Sequence, residues 1–128
     1  MKQKILVMDD DPSICKICTL LLNRIGYDVD TASSGEEAIT LFSKALQAKS
    51  PYLAVILDLT VQTGMGGLDV VKKLITLDPS VYAIMASGAS VDNMMSSYKS
   101  RGFKAVLPKP FRLQDITDCM KNIPLSEN

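Results

Sequence analysis

Residues 5–12, ILVMDDDP, set four apolar residues directly before three consecutive acids. An unbroken apolar run of that length reads as a strand buried on both faces, the kind found in parallel sheets. Asp11 suits a helix N-cap, and Pro12 suits the first helical position, where its missing N–H is no loss. Ile14, Ile17, Cys18, Leu21 and Ile25 then recur at helical spacing until Gly26 stops the helix. The stretch is a strand, a sharp reversal and a helix, with the negative charge gathered at the reversal.

The same alternation runs on through the chain. Tyr27 to Thr31 is a short strand. Ser34 and Glu37 have capping-box spacing ahead of a helix whose apolar stripe is Ala38, Leu41, Phe42, Ala45 and Leu46, ending near Lys49. Leu53 to Leu57 is a third strand that ends on Asp58. A Gly-rich loop from Thr60 to Gly67 leads to a helix marked by Leu68, Val71, Leu74 and Ile75, closed around Asp78 and Pro79. Val81 to Ala86 is a fourth strand. Ser90 can cap a helix with Val91, Met94, Met95 and Tyr98 on one face, and Gly102 closes it. Ala105 to Leu107 is a fifth strand, and Leu113, Ile116, Met120 and Ile123 stripe a last helix stopped by Pro124. Strands alternating with helices imply an α/β fold, a doubly wound five-stranded parallel sheet flanked by five helices. Residues 1–124 form one domain on this reading, and 125–128 a C-terminal tail.

Composition narrows the function. In 128 residues, fourteen Lys and Arg balance fourteen Asp and Glu, so no general field holds nucleic acid or an anionic membrane. Neither direct nucleic-acid binding nor membrane contact is expected of this domain. No run approaches the roughly 20 apolar residues of a membrane span, and the apolar run before the acids is too short for a signal-peptide core. A cytoplasmic setting is expected. The absence of histidine excludes a self-contained Ser-His-Asp or Cys-His catalyst, so any histidine chemistry must come from a partner. Cys15 and Cys18 form a C-x-x-C, but without the further Cys or His of a zinc site and inside an apolar helical pattern, which favours core thiols over redox chemistry.

In such a sheet every strand delivers its C-terminal end to one edge, where ligands bind. That edge collects Asp9 and Asp10 after the first strand, Asp58 after the third, Ser87 after the fourth and Lys109 after the fifth. Three carboxylates in one crevice repel one another unless a cation sits among them, and an all-oxygen donor set favours Mg²⁺. Plainer readings exist at each position. Asp11 reads as a helix cap only, Asp9 and Asp10 could be turn acids, and Ser87 alone says little. Asp58 ends an apolar strand and is costly there without a partner; Lys109 stands between two prolines in LPKPF, which holds it in place.

These residues resemble the receiver domain of two-component response regulators, through KILVMDDDP, GYDVDTASSGEEAI, AVILDLTV, IMASGAS and GFKAVLPKPF in that order across essentially the whole chain. The resemblance implies a flavodoxin-like strand order 2-1-3-4-5. It implies that Asp9 and Asp10 bind Mg²⁺, that Asp58 accepts a phosphoryl group, and that Thr60 offers a backbone carbonyl to the metal. Ser87 would hydrogen-bond the phosphoryl group and Lys109 would pair with it, with a cis bond to Pro110. The donor would be a histidine kinase or a histidine phosphotransfer protein, and the domain would be no stand-alone catalyst but would switch a protein-binding surface.

Two departures stand out. VQTGMGG after the acceptor is one residue longer than usual, a form that resembles receivers attached to hybrid histidine kinases. Val106 replaces the aromatic that often serves as a switch, so the response is expected to pass through Gly88 to Ser90 and the helix carrying Met94 and Met95. Three other classes remain. A haloacid dehalogenase-type phosphatase needs a second Asp where Thr60 stands. A flavin or dinucleotide carrier lacks its Gly-rich phosphate loop after the first strand, and GMGGLD has Asp69 where the last glycine is wanted. A pseudo-receiver scaffold would not need the full acceptor set.

Overall fold

The computed structural model describes residues 3–59, 65–87 and 98–124, with the backbone alone at residue 87. Five parallel strands, β1 (Lys4–Met8), β2 (Asp28–Ala32), β3 (Ala54–Asp58), β4 (Ala83–Ser87) and β5 (Ala105–Pro108), form one sheet in the order β2-β1-β3-β4-β5. This is the doubly wound, flavodoxin-like arrangement expected. Among the described residues four α-helices accompany it: α1 (Pro12–Arg24), α2 (Gly35–Gln47), α3 (Gly67–Leu77) and α4 (Leu113–Lys121), with a 3₁₀ turn at Lys99–Arg101. The helix expected from Ser90 through Met94 and Met95 lies outside the described residues.

Alternation along the central strands explains why both faces need helices. In β1, Ile5 and Val7 face the same apolar layer as Cys18 and Leu22 of α1 and Ile116 of α4. Leu6 and Met8 face the opposite layer, with Phe42 of α2 and Val70, Val71 and Leu74 of α3. The same period of two divides Ala54 and Ile56 from Val55 and Leu57 in β3. Central strands therefore carry no outward polar position, which is why they read as continuous apolar runs.

Element ends follow local hydrogen bonding. The Asp11 side chain accepts from the Ser13 amide at 2.9 Å, capping α1 as expected. At α2, Ser34 Oγ accepts from the Glu37 amide at 3.1 Å, while Glu37 Oε1 accepts from the Ser33 amide at 2.7 Å, one residue earlier than a strict capping box. β4 begins at Ala83 rather than Val81, because the Val81 amide is committed to the Asp78 carbonyl and the Ser80 hydroxyl to Asp78 Oδ1. On α1 the buried positions are Cys18 and Leu22, whereas Ile17, expected in the stripe, is 44% exposed. Ile123 is buried as expected but lies just past α4, whose C-cap is Asn122.

Candidate functional site

The C-terminal ends of β1, β3 and β5 meet at one edge. Asp9, directly after β1, is held by its backbone and its side chain together. Its amide donates to the Ala32 carbonyl at the end of β2, and its own carbonyl accepts from Cys15 Sγ of α1 at 3.3 Å. Its Oδ1 accepts from the Asp11 amide at 2.9 Å. The reversal that makes Asp11 a cap thus also orients Asp9. Asp58 closes β3, paired with Ala86 of β4, and both it and Asp9 are buried.

Lys109 follows β5 on the far side of the same edge, and its peptide bond to Pro110 is cis. Its ammonium donates to Asp9 Oδ2 at 2.8 Å and to Asp58 Oδ1 at 3.1 Å. Burial pulls the Lys109 pKa down, but the hydrogen bonds and charges of the two carboxylates outweigh it, and the net result lies above the usual lysine value. Lys109 is therefore cationic throughout the neutral range. One carboxylate oxygen from each of Asp9, Asp10 and Asp58 lies within 4.8 Å of the others. Three carboxylates and no sulfur or imidazole form a hard, all-oxygen donor set, which suits Mg²⁺.

Asp9, Asp10, Asp58 and Lys109 come together as the sequence led one to expect. Thr60 and the Ser87 side chain lie outside the described residues, as do residues 61–64 of the longer loop after Asp58 and the segment 88–90. The cysteines are free thiols, with Cys18 and Cys119 buried and Cys15 half-buried. Burial raises all three pKa values, that of Cys18 to about 12, which favours the protonated thiols of the C-x-x-C pair at neutral pH and disfavours redox chemistry there. Val106 packs at the margin of the apolar layer that contains Phe103 and Met85. Gly67, which its sequence setting assigns to the loop, belongs to the helix in the structure. It opens α3 so near the end of β3 that a Cβ there would stand 2.6 Å from the Asp58 carbonyl oxygen. The adjacent glycines of GMGG were the available signal.

The chain shares this arrangement with known proteins. It is 29% identical over 129 residues to sporulation initiation phosphotransferase F of Bacillus subtilis, covering 100% of this chain and 99% of that one. It is 34% identical over 118 residues to the DNA-binding response regulator MtrA of Mycolicibacterium smegmatis, covering 91% of this chain but 48% of that protein, so it spans about half of that relative. A crystal structure of a response regulator receiver domain protein from Clostridium thermocellum superposes with a TM-score of 0.81 at 30% identity, covering 94% of this chain and 93% of that one. The model of the response regulator receiver domain matches residues 5–121, the span that carries every strand end of this acidic edge. With the fold, the edge and the match over nearly its whole length in agreement, the chain belongs to the response regulator receiver domain family.

Proposed function

We propose that this receiver takes a phosphoryl group from the phosphohistidine of a histidine kinase or histidine phosphotransfer protein onto Asp58. The observation that carries the reading is the Lys109 ammonium bridging Asp9 and Asp58, with Asp10 beside them, at the one edge where the strands deliver their ends. In the transfer the donor's N–P bond breaks as an Asp58 carboxylate oxygen forms a P–O bond. The imidazole departs with the bonding electron pair and takes its proton from solvent. Little covalent help is required, so holding the acceptor in line and neutralising charge dominate.

Receiver domains generally bind Mg²⁺ at an acidic cluster, and Asp9, Asp10 and Asp58, with the Thr60 carbonyl, are its proposed holders here. The ion supplies positive charge that lets an anionic phosphoryl group approach a carboxylate. Lys109 then pairs with the incoming phosphoryl oxygens, and Ser87 donates a hydrogen bond to them. Asp9, held from Asp11 and Cys15, fixes where the cationic side of the site stands. The phosphorylated receiver, residues 1–124, acts by presenting an altered protein-binding surface, without catalysing turnover of its own and without touching nucleic acid or membrane. Among the described residues no helix is long and apolar enough to cross a membrane. A hybrid-kinase parent rests on the loop after the acceptor alone.

Leu20 of α1, 60% exposed, lies on the wall of a cleft of ≈ 500 Å³ that opens beside Asp9 and Asp10, and Ile17 is exposed on the same helix. An apolar donor surface seated there would bring a phosphohistidine to the acidic edge. Intact-mass measurement after incubation with acetyl phosphate and Mg²⁺ tests the central claim. Wild type should gain one phosphoryl group and Asp58→Asn none; equal labelling of the variant would overturn it.

A further inference from the structure

We propose that Gly67 is a positioning residue for the Asp58 carboxylate, acting through the acceptor's own peptide group. The inference rests on the reading of Asp58 as the acceptor. The first turn of α3 lies directly on the chain that leaves β3. A Cβ at Gly67 would stand 2.6 Å from the Asp58 carbonyl oxygen, 3.1 Å from its carbonyl carbon and 3.3 Å from Leu59 Cα. A Cβ at the preceding Gly66 would stand 3.1 Å from the Leu59 carbonyl oxygen. All of these neighbours are backbone atoms and cannot swing aside as a side chain can.

The Asp58–Leu59 peptide is also held from the opposite side, since the Leu59 amide points to the Ala86 carbonyl of β4 at 3.4 Å. The return of the chain into α3 is pinned in turn by α2. A Cβ on Gly35, the first residue of that helix, would stand 2.7 Å from Met65 Cβ and 2.8 Å from the Met65 carbonyl oxygen. The acceptor peptide therefore sits between β4 and a helix start that itself cannot retreat. Any side chain at 67 has to displace or rotate the Asp58 carbonyl, and with it the carboxylate that Lys109 holds at 3.1 Å. Glycine is there for close approach, which is separate from any need of the helix, because alanine is the better helix former.

The test compares Gly67→Ala with Gly102→Ala in the whole chain. Gly102 has φ +99 and its Cβ would meet Ile75 Cδ1, so its replacement strains the fold at the opposite end of the sheet from Asp58. Two quantities are read: the carbonyl-carbon and amide NMR shifts of Asp58 in metal-free protein, and the rate of phosphorylation by acetyl phosphate at saturating Mg²⁺. Misplacing a reacting group by about 1 Å can cost about 100-fold in rate, so Gly67→Ala should slow phosphorylation about 10- to 100-fold. Its Asp58 shifts should move, while Gly102→Ala keeps the wild-type rate and shifts. Gly66→Ala, a gentler intrusion on the next peptide, should slow the reaction a few-fold and keeps the test alive if Gly67→Ala does not fold. Unmoved Asp58 shifts with a wild-type rate in Gly67→Ala, or an equal slowing in Gly102→Ala, would overturn the inference. If wild type itself takes no phosphoryl group, the acceptor reading fails, and the metal-free shifts of Asp58 still decide whether Gly67 positions it.

Discussion

Lys109 serves two carboxylates at once, and the distances decide what its loss should do. Its contacts at 2.8 Å to Asp9 and 3.1 Å to Asp58 hold a preformed cation where, on the proposed function, negative charge would gather during phosphoryl transfer. Removing one such preorganised group typically costs about 100- to 1,000-fold in rate. Lys109→Met should therefore slow phosphorylation by acetyl phosphate at least about 100-fold, while Mg²⁺ affinity measured by calorimetry is not weakened, because the ammonium is no metal ligand. A wild-type rate in that variant removes Lys109 from its role. The three neighbouring acids divide in the same way. Asp9→Ala combined with Asp10→Ala should abolish Mg²⁺ binding. Asp11→Ala should leave binding largely intact and lower stability by about 1 kcal/mol, as for a lost N-cap, in urea unfolding. Equal loss of metal affinity in the two variants would mean that cap and ligand were assigned the wrong way round.

Helix ends show how far the elements are written in the sequence. Ser34, Glu37, Asp11 and Pro12 announce their helix starts because a cap is a local bargain between a side chain and amides two or three residues away. The end of α2 is not announced by a glycine. Lys49 takes φ 58 there, with the Ser50 amide reaching back to the Ala45 carbonyl at 2.9 Å. Gly26 and Gly102 adopt the same left-handed region without the steric cost of a Cβ. Replacing exposed Lys49 by glycine should relieve strain of about 1–2 kcal/mol, less the chain entropy that glycine loses, for a net gain of about 0.5–1 kcal/mol in urea unfolding. A loss of stability would show that the lysine side chain contributes more than its backbone strain costs. What sequence reading could not reach is set by long-range contact. Exposure of Ile17 depends on how α1 rotates over β1 and β2, and the tight seat of Gly67 on Asp58 depends on β3, α2 and α3 together. The meeting of Asp9, Asp58 and Lys109 was legible because strand ends in a parallel sheet share one edge whatever the loops do.

Across the whole molecule the three thiols tie stability to alkaline pH. Cys18 sits among Leu22, Ile5 and Val7 in the layer beneath α1, and burial, with smaller contributions from Cys15 and Asp9, lifts its pKa from 9.0 to about 12. Burial alone lifts Cys119 to about 11. The sign follows from which state holds the proton. Above pH 9 the unfolded thiol ionises while the folded one does not, so the unfolded state binds fewer protons and unfolding becomes easier as pH rises. Each such thiol contributes stability that is complete below about pH 9 and is lost through its raised folded value, at about 1.4 kcal/mol per pH unit. Lys109, raised from 10.5, and Tyr82, raised from 10.0, act in the same direction but begin later. Between pH 8 and pH 10 the cysteines therefore dominate. Cys18→Val keeps an apolar side chain of similar size and removes one ionisation, so its stability should fall by about 1.4 kcal/mol less than that of wild type over that interval. Urea unfolding at the two pH values measures the difference. Parallel losses in wild type and variant would mean that the Cys18 thiol ionises in the folded protein, and that the C-x-x-C pair is open to redox chemistry after all.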